Sequence, residues 1–361
     1  MKKSEVIGQL RFPLIVLVTF AHSYGAVADD YSLLASGWNT YEVLKLLVSQ
    51  TLVKVVVPVF FIISGYLFFA NVKTWRLQVY KEKLLRRAKT LLFPYLLWNL
   101  LMAVKLRTFS WTMFWVYWNP SGVQTDWLGH EQLMTAPANM PLWFLRDLIV
   151  VSLLTPLIYH GVKRFGGWLL AVLAVFYLSG VCAFIPGLSA YALFFFTLGA
   201  FLAIRQQDLI SAMKRHETAA YLLSTALAAA MMLTYHHPVF SSLMLCFRLT
   251  GAVAVFCLCD RLLTVTPRRL PSVVCRSSYF IYLAHFVFFF SFIDSALFRL
   301  LGTTTAALCL HYLLAPLLKA AVFVGLYALW DKIRNPFARV RAHYAHPRKT
   351  KNTRTSHTSR T

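Results

Sequence analysis

The sequence predicts an all-α, polytopic integral membrane protein with about ten transmembrane helices and both termini in the cytoplasm. Composition is the first reason: of the 361 residues, 58% are hydrophobic and only 14% are charged, and the mean hydropathy is +0.60. A chain with so few polar residues cannot cover the surface of a soluble protein. Apolar runs near the roughly 20 residues needed to cross a bilayer recur along the chain, and Lys and Arg concentrate in alternate loops.

Ten apolar runs give the predicted spans, and residues 1–330 therefore form the predicted membrane domain. The approximate limits of the runs are 6–27, 43–69, 86–104, 142–160, 168–186, 189–204, 219–236, 243–260, 278–298 and 305–330. The region around Pro186 and the short sixth run is the least regular, because one re-entrant pair there would lower the count.

The Lys and Arg residues predict the orientation. With the amino terminus inside, the inner segments carry 27 of them, and the outer loops carry only Lys105, Arg107 and Arg299. Positively charged flanks resist translocation, so this asymmetry supports ten spans with both termini inside. The basic segment 331–361 is predicted to be a disordered cytoplasmic tail. Inner cations facing anionic headgroups account for most of the net charge of +23 without a nucleic-acid partner.

The first predicted span carries two ionisable side chains on one face. In LRFPLIVLVTFAHS, Arg11 and His22 are eleven positions apart. At about 100° per residue this separation is three turns plus about 20°, so the two side chains lie roughly 16 Å apart along the helix axis. Arg11 is near the cytoplasmic end and His22 is beyond the midplane. An ionisable group inside a span is costly and is by default a candidate for function.

Other polar residues fall into the same two layers. The inner, cationic layer draws on FFIISGYL and KEKLLRRAKTLLFPYLLW, and its members are Ser64, Gly65, Lys83, Arg86, Arg87 and Lys89. The outer layer draws on PLWFLRDLIV and contains Trp143, Arg146 and Asp147. Because Arg146 and Asp147 are adjacent on a helix and point about 100° apart, each is expected to need a partner of its own.

Five segments in a fixed order resemble the motifs of the integral membrane acyltransferase family three. They are LRFPLIVLVTFAHS, FFIISGYL, RRAKTLLFPYLLW, LWFL and SYFIYLAHF, and the resemblance covers residues 4–330. It implies about ten helices and an enzyme of the bacterial inner membrane. The implied reaction moves an acyl group, acetyl in preference to succinyl, from cytoplasmic acyl-CoA to a hydroxyl of an extracytoplasmic polysaccharide, glycolipid or related sugar. No metal is implied.

The resemblance also implies roles for individual residues. Arg11 and His22 match the pair that the family needs for transfer from acyl-CoA. The third-helix motif departs from the family pattern, which has arginines three apart; here the candidates are Lys83 with Arg86 and Arg86 with Lys89. The residues expected to hold the donor are Arg11, Ser64, Gly65, Arg86, Arg87, Lys89 and His285.

His22 is expected to act as the general base at the thioester, with a transient acyl-histidine as an open alternative. Either Asp147, or Asp29 and Asp30, is expected to orient the imidazole. The separation of Arg11 and His22 is of the order of the reach of the CoA arm.

The acceptor is expected to meet Trp143, Arg146 and Trp118 on the outer side. Trp111, Trp115 and Trp118 follow helical spacing. Two interpretations stay open: an interfacial helix in the aromatic belt, or a stacking platform for the acceptor sugar.

Two other classes of function stay open at this stage. Lys54, Lys319 and His285 near mid-membrane would also suit a secondary transporter or flippase for a glycan precursor or small anion. That class predicts pseudo-symmetric halves with matching broken helices, which the sequence does not display. The third class is a scaffold for polysaccharide assembly, in which Arg11 and His22 would have no role. Lys54 and Lys319 match no motif of the family, and each is expected to face a water-filled cavity or a partner.

Overall fold

The computed structural model describes residues 3–22, 39–72, 74–107, 109–115, 123–125, 131–133, 136–180, 187–235, 237–266, 268–288 and 290–334. Most of these residues are helical, which confirms the predicted all-α class. The described part also holds one small antiparallel hairpin of two three-residue strands, β1 (Val123–Thr125) and β2 (Glu131–Leu133). Of the predicted tail 331–361, only residues 331–334 are described, and they continue the last helix.

Eight helices lie in the first half of the described chain. They are α1 (Lys3–Ala21), α2 (Thr40–Lys45), α3 (Val56–Phe69), α4 (Leu77–Arg87), α5 (Phe93–Leu106), α6 (Trp143–Leu153), α7 (Thr155–Phe165) and α8 (Gly167–Leu178). The helices of the second half are α9 (Ala190–Ile204), α10 (Leu209–Lys214), α11 (Glu217–Leu233), α12 (Val239–Val265), α13 (Ser272–Ala284), α14 (Ser291–Leu301) and α15 (Thr305–Arg334).

Several helices have the length and composition of membrane spans. Within the described residues, three stretches are long and apolar enough to cross a bilayer: Thr40–Phe69, Val239–Val265 and Thr305–Arg334. The pair Met140–Leu153 and Thr155–Phe165 makes a fourth if the two bent halves count as one span. The protein is therefore an integral membrane protein by fold class, while the count of ten and the orientation of the termini stay predictions.

Two of the predicted spans are not single straight helices. The predicted span 142–160 bends by 62° between α6 and α7. Pro156 lies at the start of α7 and interrupts the ladder because it has no backbone N–H. The prediction of one continuous span over 278–298 was wrong, because α13 ends at Ala284 and α14 begins at Ser291. The residues between the two helices, 285–290, include no Gly or Pro, so the sequence gives no local signal for the break. Lys105 Nζ donates a 2.8 Å hydrogen bond to the Val287 carbonyl, which a continuous helix would have satisfied internally.

The stretch Thr40–Phe69 changes its helical pitch halfway. A π-helical turn, Leu46–Thr51, and a 3₁₀ turn, Leu52–Val55, separate α2 from α3. Such irregular turns rotate the side chains that follow and are frequent at functional sites. They determine where Ser49, Gln50 and Lys54 point.

The closest helix contact in the core joins α3 to α9 through two glycines. A Cβ added at Gly65 would lie 2.0 Å from the Phe196 carbonyl oxygen, and one added at Gly199 would lie 2.0 Å from the Ile62 carbonyl oxygen. Small residues allow two helix backbones to approach in this way. The structure thus gives Gly65 a packing role, and its predicted contact with the donor stays a prediction.

We expect Gly65→Ala to destabilise the protein by roughly 1–3 kcal/mol, because α3 and α9 must separate to admit the methyl group. The thermal unfolding midpoint in detergent, followed by circular dichroism, measures the effect. Gly325→Ala in α15 is the matched control, since nothing lies within 4 Å of a Cβ at that position. Equal midpoints for the two variants would contradict the packing role.

Candidate active site

A cavity of about 510 Å³ lies at the carboxyl end of α1. Helices α1, α3, α6, α9, α12 and α13, together with the irregular turns before α3, contribute its walls. The polar and aromatic side chains that line it are His22, Ser49, Gln50, Lys54, Phe60, Trp143, Phe144, Arg146, Asp147, Ser189, Tyr191, Arg248 and Tyr282. The cavity thus collects most of the predicted outer layer in one place.

His22 enters this cavity from the end of α1. The helix is continuous from Lys3 to Ala21, with Pro13 inside it, and the His22 N–H still donates to the Thr19 carbonyl at 3.3 Å. Arg11 is therefore three turns away along the same helix, roughly 16 Å along its axis. Its side chain is exposed. The structure keeps the predicted arrangement of a histidine and an arginine at separate levels of one helix.

The His22 ring lies beside a second histidine. The ring centroids of His22 and His285 are 5.4 Å apart, and Phe286 is 5.7 Å from His22 on another side. His285 Nδ1 lies 3.1 Å from the Ile281 carbonyl oxygen and 2.9 Å from that of Tyr282. Because a carbonyl only accepts, these contacts assign the proton of the neutral ring to Nδ1. The buried Nε2 then presents its lone pair, and no described residue bonds to it.

Arg146 and Asp147 form a pair, so the prediction that they need separate partners was wrong. Arg146 Nη2 and Nε lie 3.1 Å and 3.2 Å from Asp147 Oδ1, and both side chains are almost fully buried. The flexible arginine arm bends back along the helix and bridges the angle between the two Cβ directions. Arg146 Nη1 also donates to the Trp115 carbonyl at 2.9 Å.

The contacts of Asp147 are with Arg146 and Ser189, and its predicted task of orienting His22 stays a prediction. Its second oxygen, Oδ2, accepts a 2.8 Å hydrogen bond from Ser189 Oγ, and Ser189 in turn caps α9 by accepting from the Ala192 N–H. The carboxylate therefore ties α6 to the start of α9. The other candidates for this task, Asp29 and Asp30, lie outside the described residues.

In the predicted inner layer, Arg87 is held by hydrogen bonds to Ser64. Arg87 Nη1 donates to Ser64 Oγ at 2.9 Å, and Nη2 lies 3.3 Å from the Ser64 carbonyl oxygen. The Arg87 guanidinium also lies 5.3 Å from the centre of the Phe68 ring. Arg86 and Lys89 are exposed. The sequence left Arg87 as one of several candidate cations. The structure connects it to Ser64 of the segment FFIISGYL.

The tryptophans divide between the cavity and the surface. Trp143 lines the cavity, whereas Trp111 is 91% exposed. Residues Trp111–Phe114 form a single 3₁₀ turn instead of the start of a regular α-helix. Trp118 lies outside the described residues, so its predicted contact with the acceptor stays a prediction.

The two lysines predicted to lie near mid-membrane have different surroundings. Lys319 Nζ lies 2.8 Å from Asp294 Oδ2, and His311 Nε2 lies 3.8 Å from the other oxygen of the same carboxylate. This buried cluster joins α14 to α15. Lys54 instead lines the cavity beside His22. Lys319 thus has a charged partner and Lys54 faces a cavity. The sequence predicted a cavity or a partner for each.

Sequence reasoning missed Arg248, Tyr191 and Tyr282, which all line the cavity. Arg248 lies inside the predicted span 243–260, so the cost of a charge within a span would have identified it. The tyrosines gave no such signal, because aromatic residues are common throughout this chain. Among the described residues, no group of three or more His, Cys, Asp or Glu side chains is placed to hold a metal ion.

The fold and the cavity define a membrane protein of many helices. Its polar cavity lies at the carboxyl end of α1, the helix that carries Arg11 and leads into His22. The family model described as an acyltransferase domain matches residues 6–328. The chain therefore belongs to this acyltransferase family, the family three that its motifs resemble.

A relative supports the same assignment. The succinoglycan biosynthesis protein ExoH of Rhizobium meliloti (strain 1021) is 28% identical over 170 residues, which cover 45% of this chain and 44% of that protein. The similarity thus spans less than half of either chain. No solved structure gives a significant match.

Proposed function

We propose that this protein is a membrane O-acyltransferase that moves an acyl group, acetyl in the first instance, from cytoplasmic acyl-CoA to a hydroxyl of an extracytoplasmic polysaccharide, glycolipid or related sugar. Family membership supports acyl transfer over transport or a scaffold role. The single observation that carries the proposal is the position of His22 in a polar cavity, three turns along α1 from Arg11.

His22 acts as the general base in the proposed reaction. As the acceptor oxygen attacks the thioester carbonyl, the hydroxyl proton passes to an unprotonated ring nitrogen of His22. The new C–O bond forms, the C–S bond breaks, and the proton then passes to the departing thiolate of CoA. His285 is a positioning residue, since its ring packs beside His22 and its own orientation is fixed by two backbone carbonyls.

The donor is held at the level of Arg11, three turns before His22 along α1. Arg11 and Arg87 bind the phosphates of CoA, because a planar guanidinium offers paired hydrogen bonds to phosphate oxygens. Ser64 positions Arg87 through the 2.9 Å hydrogen bond. The exposed Arg86 and Lys89 add positive charge at the same end. The thioester then extends toward His22 over roughly 16 Å, the separation of the two levels on α1.

The acceptor enters the cavity from the side of Trp143. An indole face suits stacking against a sugar ring, and the Arg146–Asp147 pair next to it gives the wall a fixed polar surface. Acceptor entry from outside and donor entry from inside follow from the predicted orientation of the spans.

Release of free CoA from acetyl-CoA by the protein in nanodiscs, together with equilibrium donor binding, tests the proposed function. We expect Arg11→Ala to raise the donor Kd by roughly 10- to 100-fold, since hydrogen bonds to charged groups contribute that much. Arg334→Gln at the exposed end of α15 is the control for a general loss of surface charge. Wild-type protein that neither binds nor turns over any acyl-CoA would refute the proposed function.

A further inference from the structure

The cavity contains more positive charge than its own carboxylate can neutralise. Lys54, Arg146 and Arg248 line it, together with Asp147. Asp147 pairs with Arg146. Within the part of the chain that the structure describes, no carboxylate forms an ion pair with Lys54 or Arg248. Among the described residues, Lys54 and Arg248 therefore have no carboxylate partner in the cavity that His22 lines.

Arg248 lies against an aromatic ring. Its guanidinium is 4.9 Å from the centre of the Tyr191 ring. Arg248 Nε is buried and has no hydrogen-bond partner among the described residues. The ring contact fixes the direction of the side chain and leaves part of its donor capacity unused.

A close helix contact brings the two cations together. A Cβ at Gly251 would lie 2.5 Å from Val55 Cγ1, so α12 approaches the 3₁₀ turn Leu52–Val55 as closely as a glycine permits. Lys54 precedes Val55 in that turn, and Arg248 lies one helical turn before Gly251. Both side chains line the same cavity. Like charges repel more strongly in such a site than in water, which makes an anion between them favourable.

We propose that Lys54 and Arg248 bind a carboxylate carried by one of the two substrates that meet at His22. This inference rests on the proposed function and assigns a substrate class to the same cavity. Two cations suit a single small anion, and the neighbouring apolar side chains Val53, Val57 and Phe60 suit the carbon skeleton that carries it. The carboxylate belongs either to a dicarboxylic acyl group on the donor or to an acidic sugar of the acceptor.

Substrate selectivity of the protein in nanodiscs tests this subsite. One pair of probes is succinyl-CoA and acetyl-CoA, and the other is an alkyl glucuronide and the matching alkyl glucoside as acceptors. The readout is the ratio of kcat/KM for the anionic and neutral member of each pair. We expect wild-type protein to prefer the anionic member of one pair, and Lys54→Met and Arg248→Gln each to lower that ratio by roughly 10- to 100-fold, because each removes a charge-assisted contact.

The pair whose ratio falls identifies the source of the carboxylate. A fall for the CoA pair assigns it to the donor, and a fall for the glycoside pair assigns it to the acceptor. Lys54→Arg keeps the charge and is expected to retain most of the wild-type selectivity, which separates charge recognition from a packing defect. Arg299→Gln at the exposed end of α14 is the control for loss of a cation elsewhere.

Three results would overturn the subsite. Wild-type protein without preference for either anionic probe is the first, and unchanged ratios in both variants are the second. In both cases turnover of acetyl-CoA shows that the proposed function stands while the subsite fails. The third is a wild-type protein that turns over no acyl-CoA, which refutes the proposed function and this inference together.

Discussion

His22→Ala is expected to lower kcat for acyl transfer by roughly 100- to 10,000-fold while the donor Kd changes little. The loss corresponds to removal of a general base from the transition state. Donor binding is retained because the cations proposed to hold CoA do not line the cavity of His22, and Arg11 lies three turns from His22 along α1. Single-turnover release of CoA, measured at saturating acetyl-CoA, gives the rate, and titration calorimetry gives the donor Kd.

His160→Ala is the matched control for this prediction, because His160 is an exposed histidine on α7. Its rate is expected to equal that of the wild type. If His22→Ala retained more than about a tenth of the wild-type rate, His22 would not be the base, and His285 beside it would be the next residue to replace. An acyl group trapped on His22 after a quench would support the alternative of an acyl-histidine intermediate.

Asp147→Ala is expected to destabilise the protein by roughly 3–5 kcal/mol. The substitution leaves the buried guanidinium of Arg146 without its anion, and an uncompensated buried charge costs about this much. It also removes the acceptor of Ser189 Oγ at the start of α9. The thermal unfolding midpoint in detergent and the fraction of monodisperse protein measure the loss.

A control and a double variant make the interpretation of Asp147→Ala specific. Asp331→Ala removes the acid of an exposed ion pair with Arg276 and is expected to cost no more than about 1 kcal/mol. Arg146→Met combined with Asp147→Leu removes both charges and is expected to be more stable than Asp147→Ala alone. A double variant less stable than Asp147→Ala would show that the loss comes from the shape of the site and not from the unpaired charge.

The site shows how far sequence reasoning reaches. Because one continuous helix joins Arg11 to His22, the number of residues between them was enough to predict their separation along the axis. The ion pair of Arg146 with Asp147 could not be predicted from Cβ directions, because the long arginine side chain bends back to its neighbour. The neighbour of His22 is His285, which lies far away in sequence and comes next to it only through the packing of α13 against α1.

The sequence by itself determined the all-α membrane class and the separation of Arg11 and His22 along α1. These properties depend on local composition and on the helical period. Tertiary structure decided three other features. They are the irregular turns before α3, the break after Ala284 and the presence of Lys54 and Arg248 in the lining of one cavity. The physical reason is that each depends on contacts between distant segments: Lys105 satisfies the carbonyl at the break, and Gly251 lets α12 approach Val55.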